Sequence, residues 1–327
     1  MSLIQKLFGR ARRHPDESKQ KIERSAAVAR VNDIRYIGYG VSDLEAEKRF
    51  YIESWKLEEV PSTDGMVYLV APGTTASYSI RLRQTDEPRI DVISWSAKDR
   101  AEVDALVPQI ESAGGKIIMP PADLTSKGGG YGFRFFDLNG FTIEVSTDFE
   151  TRVPETLKPG EPRPEKISHV VLHSPDHKAY VAFYESALGF KVSDWLGDFM
   201  CFLRCNEWHH RLAILPGPPA FNHVAYDVPD IDAIMKGVTR LRETNGDVVW
   251  GPGRHTAGNN VFSYYVTPAG YAVEYTCDLE KVDDATWKAK VHPPSKEVMD
   301  QWGFGVGGPT TMPDALPDRG LFKSVGI

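Results

Sequence analysis

Apolar and polar residues alternate along this chain in short runs, and the runs recur. DIRYIGYGVSD, from Asp33, and KISHVVLHSPD, from Lys166, share the alternation of a half-buried strand and close on Asp43 and Asp176. A helix-period segment follows each, LEAEKRFYIESWKLEEV and HKAYVAFYESALGFKV, and in the second Gly189 stands where a helix C-cap favours glycine. RIDVISWSAKD and FNHVAYDVPD each open a further strand, with the helical patterns AEVDALVPQIESAGG and DAIMKGVTRLRETNG behind them. FFDLNGFTIEVST, from Phe135, and YVTPAGYAVEYTC, from Tyr265, each read as strand, glycine turn and strand, with Glu144 and Glu274 in the closing strand. The pattern predicts four repeated units of about 50 residues, each a strand, a helix and three strands. They pair into an N-terminal half over residues 31–150 and a C-terminal half over 167–284.

The Pro- and charge-rich stretch TRVPETLKPGEPRPEK, residues 151–166, reads as a linker. The Pro/Gly-rich residues 285–327 predict an irregular tail packed over a face, with GFGVGGP, 303–309, as a flexible cover. Residues 1–30 form a basic arm, with eight Lys/Arg against three Asp/Glu, which leaves 30 against 42 for the body. An acidic body argues against nucleic acid as a partner. The 327 residues suffice for two domains with full cores, and 41% hydrophobic with 25% charged residues excludes a disordered or coiled-coil chain. No stretch reaches the roughly 20 apolar residues of a membrane span, and MSLIQKLFGRARR has no apolar core of signal-peptide length. Cys201, Cys205 and Cys277 have neither metal nor redox spacing. These features predict a cytoplasmic protein with reduced thiols and no membrane partner.

The histidines break the symmetry of the repeat. Seven of nine, His169, His173, His177, His209, His210, His223 and His255, lie in the C-terminal half, and residues 31–150 have none. His169 and His223 each sit third in the first strand of a unit, and Glu274 lies in the last strand. Two imidazoles and one carboxylate can hold one face of a metal and leave the other positions open, which suits non-haem Fe(II). A lone strand histidine is more often a packed residue, so the reading rests on three repeat-equivalent positions together. The same register in the N-terminal half gives Tyr36, Val92 and Glu144, which predicts a metal-free copy.

The order ISHVVLHSPD, FLRCNEWHHRLAI, FNHVAYDVPD and GRHTAGNNVFSYYVTPAGYAVEYT resembles the type I extradiol ring-cleavage dioxygenases of the vicinal oxygen chelate superfamily, over about residues 31–280. The resemblance implies an α+β fold, four βαβββ modules paired into two domains with funnel-shaped mixed sheets. It implies His169, His223 and Glu274 as ligands of Fe(II), with Mn(II) as the other ion the set serves. It matches His210 to the family's acid/base histidine and His255 and Tyr264 to the groups that orient a bound catechol. His209 is expected to point away from His210, as neighbours on a strand do. The counterparts in the other half are approximately Tyr78, Thr125 and Arg134. One departure stands out: close relatives follow GRHT with an Asn-Asp pair, where this chain has Ala257-Gly258 and then Asn259-Asn260, so an acidic partner near the site is lost.

The activity implied is extradiol cleavage of a catecholic aromatic by O2, in aromatic catabolism, by a homo-oligomer. Phe202 and Val171 are expected to touch substrate beside His255 and Tyr264, with Trp195, Trp208 and Phe199 as further candidate walls. The alternatives are a glyoxalase-type isomerase or lyase, which usually draws four ligands from two modules, and a binding protein without chemistry. Metal identity separates them, because fold alone does not specify chemistry.

Overall fold

The computed structural model describes residues 28–62, 64–244, 246–315 and 318–324. The basic arm up to residue 27, with the expectation attached to it, lies outside these residues.

The four units are present. The first holds β1 (Val31–Val41), α1 (Leu44–Arg49), β2 (Glu58–Val60), β3 (Val67–Val70) and β4 (Ile80–Gln84). The second holds β5 (Arg89–Ala97), α2 (Arg100–Ala113), β6 (Lys116–Asp123), β7 (Tyr131–Phe136) and β8 (Thr142–Thr147). The third runs β9 (Lys166–Ser174), α3 (His177–Leu188), β10 (Lys191–Leu196), β11 (Met200–Arg204) and β12 (Leu212–Pro216). The fourth runs β13 (Ala220–Asp227), α4 (Ile231–Glu243), β14 (Trp250–Arg254), β15 (Val261–Val266) and β16 (Ala272–Cys277). The same local chemistry starts the helix of each unit. Asp43, Asp99, Asp176 and Asp230 each accept a hydrogen bond from the backbone N–H three residues on, at 2.9–3.0 Å. Gly114 and Gly189 end α2 and α3 with φ of 98° and 68°, a region that costs a side chain. The first helix is shorter than its pattern suggested, passing into one wide turn over Phe50–Ser54 before Trp55.

Each half is one mixed sheet with the same strand order, β2-β3-β4-β1-β5-β8-β7-β6 and β10-β11-β12-β9-β13-β16-β15-β14. The first strands of paired units run antiparallel at the centre, and each takes a parallel neighbour from its own unit. This brings the opening strands of units three and four beside the closing strand of unit four. The halves share a core: Trp55 stacks on Tyr275 with ring centroids 3.9 Å apart, Trp95 meets Phe190 edge-on, and Asp137 accepts hydrogen bonds from Tyr180 and Tyr184. Buried Glu47 of α1 accepts a 2.8 Å hydrogen bond from the Ala269 N–H across the same boundary.

The tail is more ordered than its composition suggested. It adds β17 (Lys290–His292) beside β10 and β18 (Val306–Gly307) beside β14, one strand at each edge of the C-terminal sheet, with the short α5 (Lys296–Met299) between them. No helix among the described residues is long and apolar enough to cross a membrane. Cys201, Cys205 and Cys277 are unpaired and buried.

Candidate metal centre and its pocket

His169 on β9 and Glu274 on β16 are both register partners of Ala225 on the strand between them, and His223 lies two residues before Ala225 on the same strand. Alternation therefore aims all three side chains to one face, and the alanine methyl at the centre leaves them room to converge. Glu274 Oε2 lies 3.3 Å from His169 Nε2 and 3.2 Å from His223 Nε2, and all three side chains are buried. The three donor atoms lie within 4.8 Å of one another.

The chemistry of this set fits a divalent ion. His223 Nε2 and Glu274 Oε2 have no hydrogen-bond partner although both are shielded from solvent, and an orphaned buried pair of this kind is costly unless something bridges it. The outer nitrogen of His223 is committed: its Nδ1 lies 2.5 Å from Asn222 Oδ1, so Nδ1–H donates and the Nε2 lone pair faces inward. Asn222 is fixed in turn by His173, 2.8 Å away, whose Nδ1 donates to the Pro216 carbonyl at 3.0 Å. Burial pushes the His223 imidazole below its ordinary pKa, which keeps it neutral and able to ligate. Burial alone would raise Glu274, but the two imidazoles beside it hold it well below the usual carboxylate range.

A cavity of about 280 Å³ opens onto this centre. His210, His255 and Tyr264 line it, as do Phe202 and Val171. Tyr264 O–H donates to His255 Nε2 at 3.2 Å, because His255 Nδ1–H is occupied by the Met299 carbonyl at 2.6 Å. His255 stacks on Phe262 and Tyr264 stacks on Trp250, with interplanar angles of 12° in both pairs. The His210 ring packs 4.3 Å from that of His169, and burial together with that neighbour pushes its pKa well below the ordinary value.

Several expectations change. His209 does not point away from His210. The segment before β12 bends rather than continuing a strand, and the two Nδ1 atoms approach to 3.0 Å. Phe199 lines the cavity, whereas Trp195 packs towards His177 and Trp208 carries the cations of Lys166, Arg211 and Lys281 elsewhere. The 303–309 segment supplies an edge strand, and of its residues Pro309 alone reaches the cavity wall. The wall is built from Val298 and Met299 before it and from residues 312–315 after it. Trp250, Asn222 and His173 were not singled out as site residues by the sequence; only the histidine excess of the second half pointed towards the last.

Among the described residues the other half brings different side chains to the matching positions. Tyr36, Val92 and Glu144 stand at the matching register positions, around Ser94 in place of Ala225. Arg134 partners Glu144 where Tyr264 partners Glu274, and its guanidinium reaches that carboxylate at 2.7 and 2.9 Å. The counterpart of His255 is Leu124, one residue before the expected Thr125, since Leu124 N–H bonds Gly130 as His255 N–H bonds Asn260.

Residues 33–145 and 166–275 match the family model of the Glyoxalase/Bleomycin resistance protein/Dioxygenase superfamily. The chain belongs to this superfamily. Among its relatives is Metapyrocatechase 2 of Cupriavidus necator, 25% identical over 317 residues, which cover 90% of this chain and 96% of that one. Another is an iron-dependent extradiol dioxygenase of Rhodococcus jostii, 24% identical over 304 residues, 85% of this chain and 98% of that one. A solved Mn(II)-bound glyoxalase from Novosphingobium aromaticivorans is 54% identical, superposes with a TM-score of 0.88, and covers 90% of this chain and 98% of its own. Each of these alignments thus spans both halves of this chain.

Proposed function

We propose that this superfamily member is an extradiol dioxygenase, which opens a catecholic ring beside its two hydroxyls and places both atoms of O2 in the product. The carrying observation is the buried convergence of His169, His223 and Glu274 at the floor of a cavity that also holds His210, His255 and Tyr264. These three ligands would hold Fe(II), as in the iron-dependent relative, or Mn(II), as in the Novosphingobium structure. Bound there, such an ion supplies a Lewis-acid, one-electron centre at which an aromatic diol and dioxygen react together.

The remaining chemistry belongs to side chains. Tyr264 and His255 orient the diol oxygens through their shared hydrogen bond. His210, kept neutral by burial, accepts a hydroxyl proton as the diol binds and returns it as the ring opens. The walls are apolar, with Val171, Leu196, Met200, Phe202, Ala257 and Met299 facing the cavity. Such walls suit an uncharged catechol with an apolar substituent and exclude water from the reacting centre. We place the enzyme in the cytoplasm, where its unpaired buried thiols stay reduced, and as a homo-oligomer whose interface would cover the exposed Val291 and Phe304 of the tail.

The name of the Novosphingobium relative favours a second reading, a glyoxalase-type isomerase. Against it, this set has one carboxylate, and the matching positions of the other half are closed by Arg134 on Glu144. The test is protein reconstituted anaerobically with Fe(II), then exposed to O2 and a panel of catechols. Oxygen uptake with a yellow ring-opened product, lost in His169→Ala, is expected. Conversion of the methylglyoxal–glutathione hemithioacetal without any oxygen uptake would replace this reading by the isomerase.

A further inference from the structure

Beside the cavity, two imidazoles and a carboxylate form a line. His210 Nδ1 lies 3.0 Å from His209 Nδ1, and His209 Nε2 lies 3.2 Å from Asp194 Oδ2. All three side chains are buried. The carboxylate is fixed by the tail: His292 Nε2 approaches the same Oδ2 at 2.7 Å, and the Lys290 N–H donates to Oδ1 at 2.8 Å. Gly258 closes the opposite side with φ of 83°. A Cβ there would lie 3.1 Å from His209 Nδ1 and 3.2 Å from His210 Cε1. Gly258, in the segment in which an acidic residue was missed, is therefore packed against the two rings, and a side chain there would crowd both. The acid comes instead from β10.

Hydrogen-bond logic assigns the protons. A carboxylate only accepts, so His209 Nε2 carries hydrogen towards Asp194. Only one hydrogen fits between the two Nδ1 atoms, and with the His209 hydrogen placed at Nε2 towards Asp194 the geometry assigns it to His210 Nδ1, which donates to His209 Nδ1. That leaves His210 Nε2 without hydrogen on the cavity side. We propose that Asp194 is a positioning residue for the reaction: through His209 it sets the tautomer and ring angle of His210, so that an unprotonated Nε2 meets the substrate. The proposal rests on the dioxygenase reading for the identity of the proton donor, a catechol O–H. The proton taken at Nε2 leaves His210 cationic, with the Asp194 charge one imidazole away to balance it. The same proton returns to the product, so the cycle needs no further donor.

The test combines two variants with a spectroscopic readout. In Asp194→Asn the amide can donate to His209 Nε2, which turns the whole line round. We expect kcat to fall about 10- to 100-fold, the usual cost of losing such an outer partner, with KM within about twofold and one metal per chain retained. His209→Phe keeps the volume and should lose a similar factor. The double variant should lose no more than either single, because the residues act as a unit. Nitrogen NMR of histidine-labelled, Zn(II)-loaded protein should show His210 protonated at Nδ1 in the wild type and at Nε2 in Asp194→Asn. Unchanged kcat in both variants, multiplicative losses in the double variant, or a wild-type His210 protonated at Nε2 would each overturn the proposal. If no catechol is cleaved by the wild type, the dioxygenase reading fails while the NMR still decides the tautomer.

Discussion

Arg134 closes against Glu144 in the N-terminal half at the register position from which Tyr264 neighbours Glu274 in the C-terminal half. The carboxylate is common to both halves, and its counter-charge differs. In the C-terminal half it is one of the three proposed metal ligands. In the N-terminal half Arg134, Arg35, Tyr36 and Ser94 surround it, at 2.7–3.3 Å, and the arginines hold it below its ordinary pKa against the effect of burial.

Glu144→Gln should therefore be a stability variant and not an activity variant. Two buried guanidinium groups lose their shared anion, and breaking a buried pair costs about 3–5 kcal/mol. Denaturant titration should show that loss, while kcat per folded molecule and the metal content, one per chain, stay at the wild-type values. A second metal bound by the wild type at Glu144 would contradict this account.

Metal binding should itself stabilise the fold. The orphaned His223 Nε2 and Glu274 Oε2 gain a partner only when an ion is present. At a concentration about 100 times Kd the linkage is worth about 2.7 kcal/mol. Thermal melts should rise by about 5 °C on adding Mn(II) to the wild type. Glu274→Gln should bind almost no metal and show no rise, and an equal rise in that variant would place the ion elsewhere.

Glu47 gives the boundary between halves a pH dependence of its own. Burial raises its carboxyl from 4.5 to about 7, against hydrogen bonds that include the Ala269 N–H. The folded state therefore holds this proton after the unfolded state has released it. Stability is full below pH 4.5, falls as the pH rises towards 7, and stays lower above it. The difference amounts to about 3 kcal/mol at pH 8. Glu47→Gln accepts the same N–H without a charge, so it should melt higher than the wild type at pH 8 and nearly the same at pH 4.5. Parallel pH profiles for the two proteins would show that Glu47 does not titrate in this range.

What the sequence made legible was periodic. Alternation, the four capping aspartates and the repeat register located the strands, and with them Tyr36, Val92, Glu144 and their counterparts, because strand position is a local property. The pairing of His209 with His210 was not legible, since alternation holds only while the backbone stays extended and this segment bends. Asp194 lies 15 residues from His209, and Met299 lies 44 from His255, so each contact depends on tertiary placement. Trp250 was missed because nothing in its surroundings distinguishes a cavity wall from ordinary packing before the sheet is folded.

The two edge strands of the tail also set an order of events during synthesis. The N-terminal half has all eight of its strands once residue 147 has emerged, but the core it shares with the C-terminal half is completed only later. The C-terminal sheet has both outer edges exposed until β17 and β18 arrive, and the last part of the cavity wall comes at residues 312–315. A nascent chain therefore has the three proposed ligands well before it has a closed chamber. This arrangement postpones the closed chamber until almost the whole chain is available to fold.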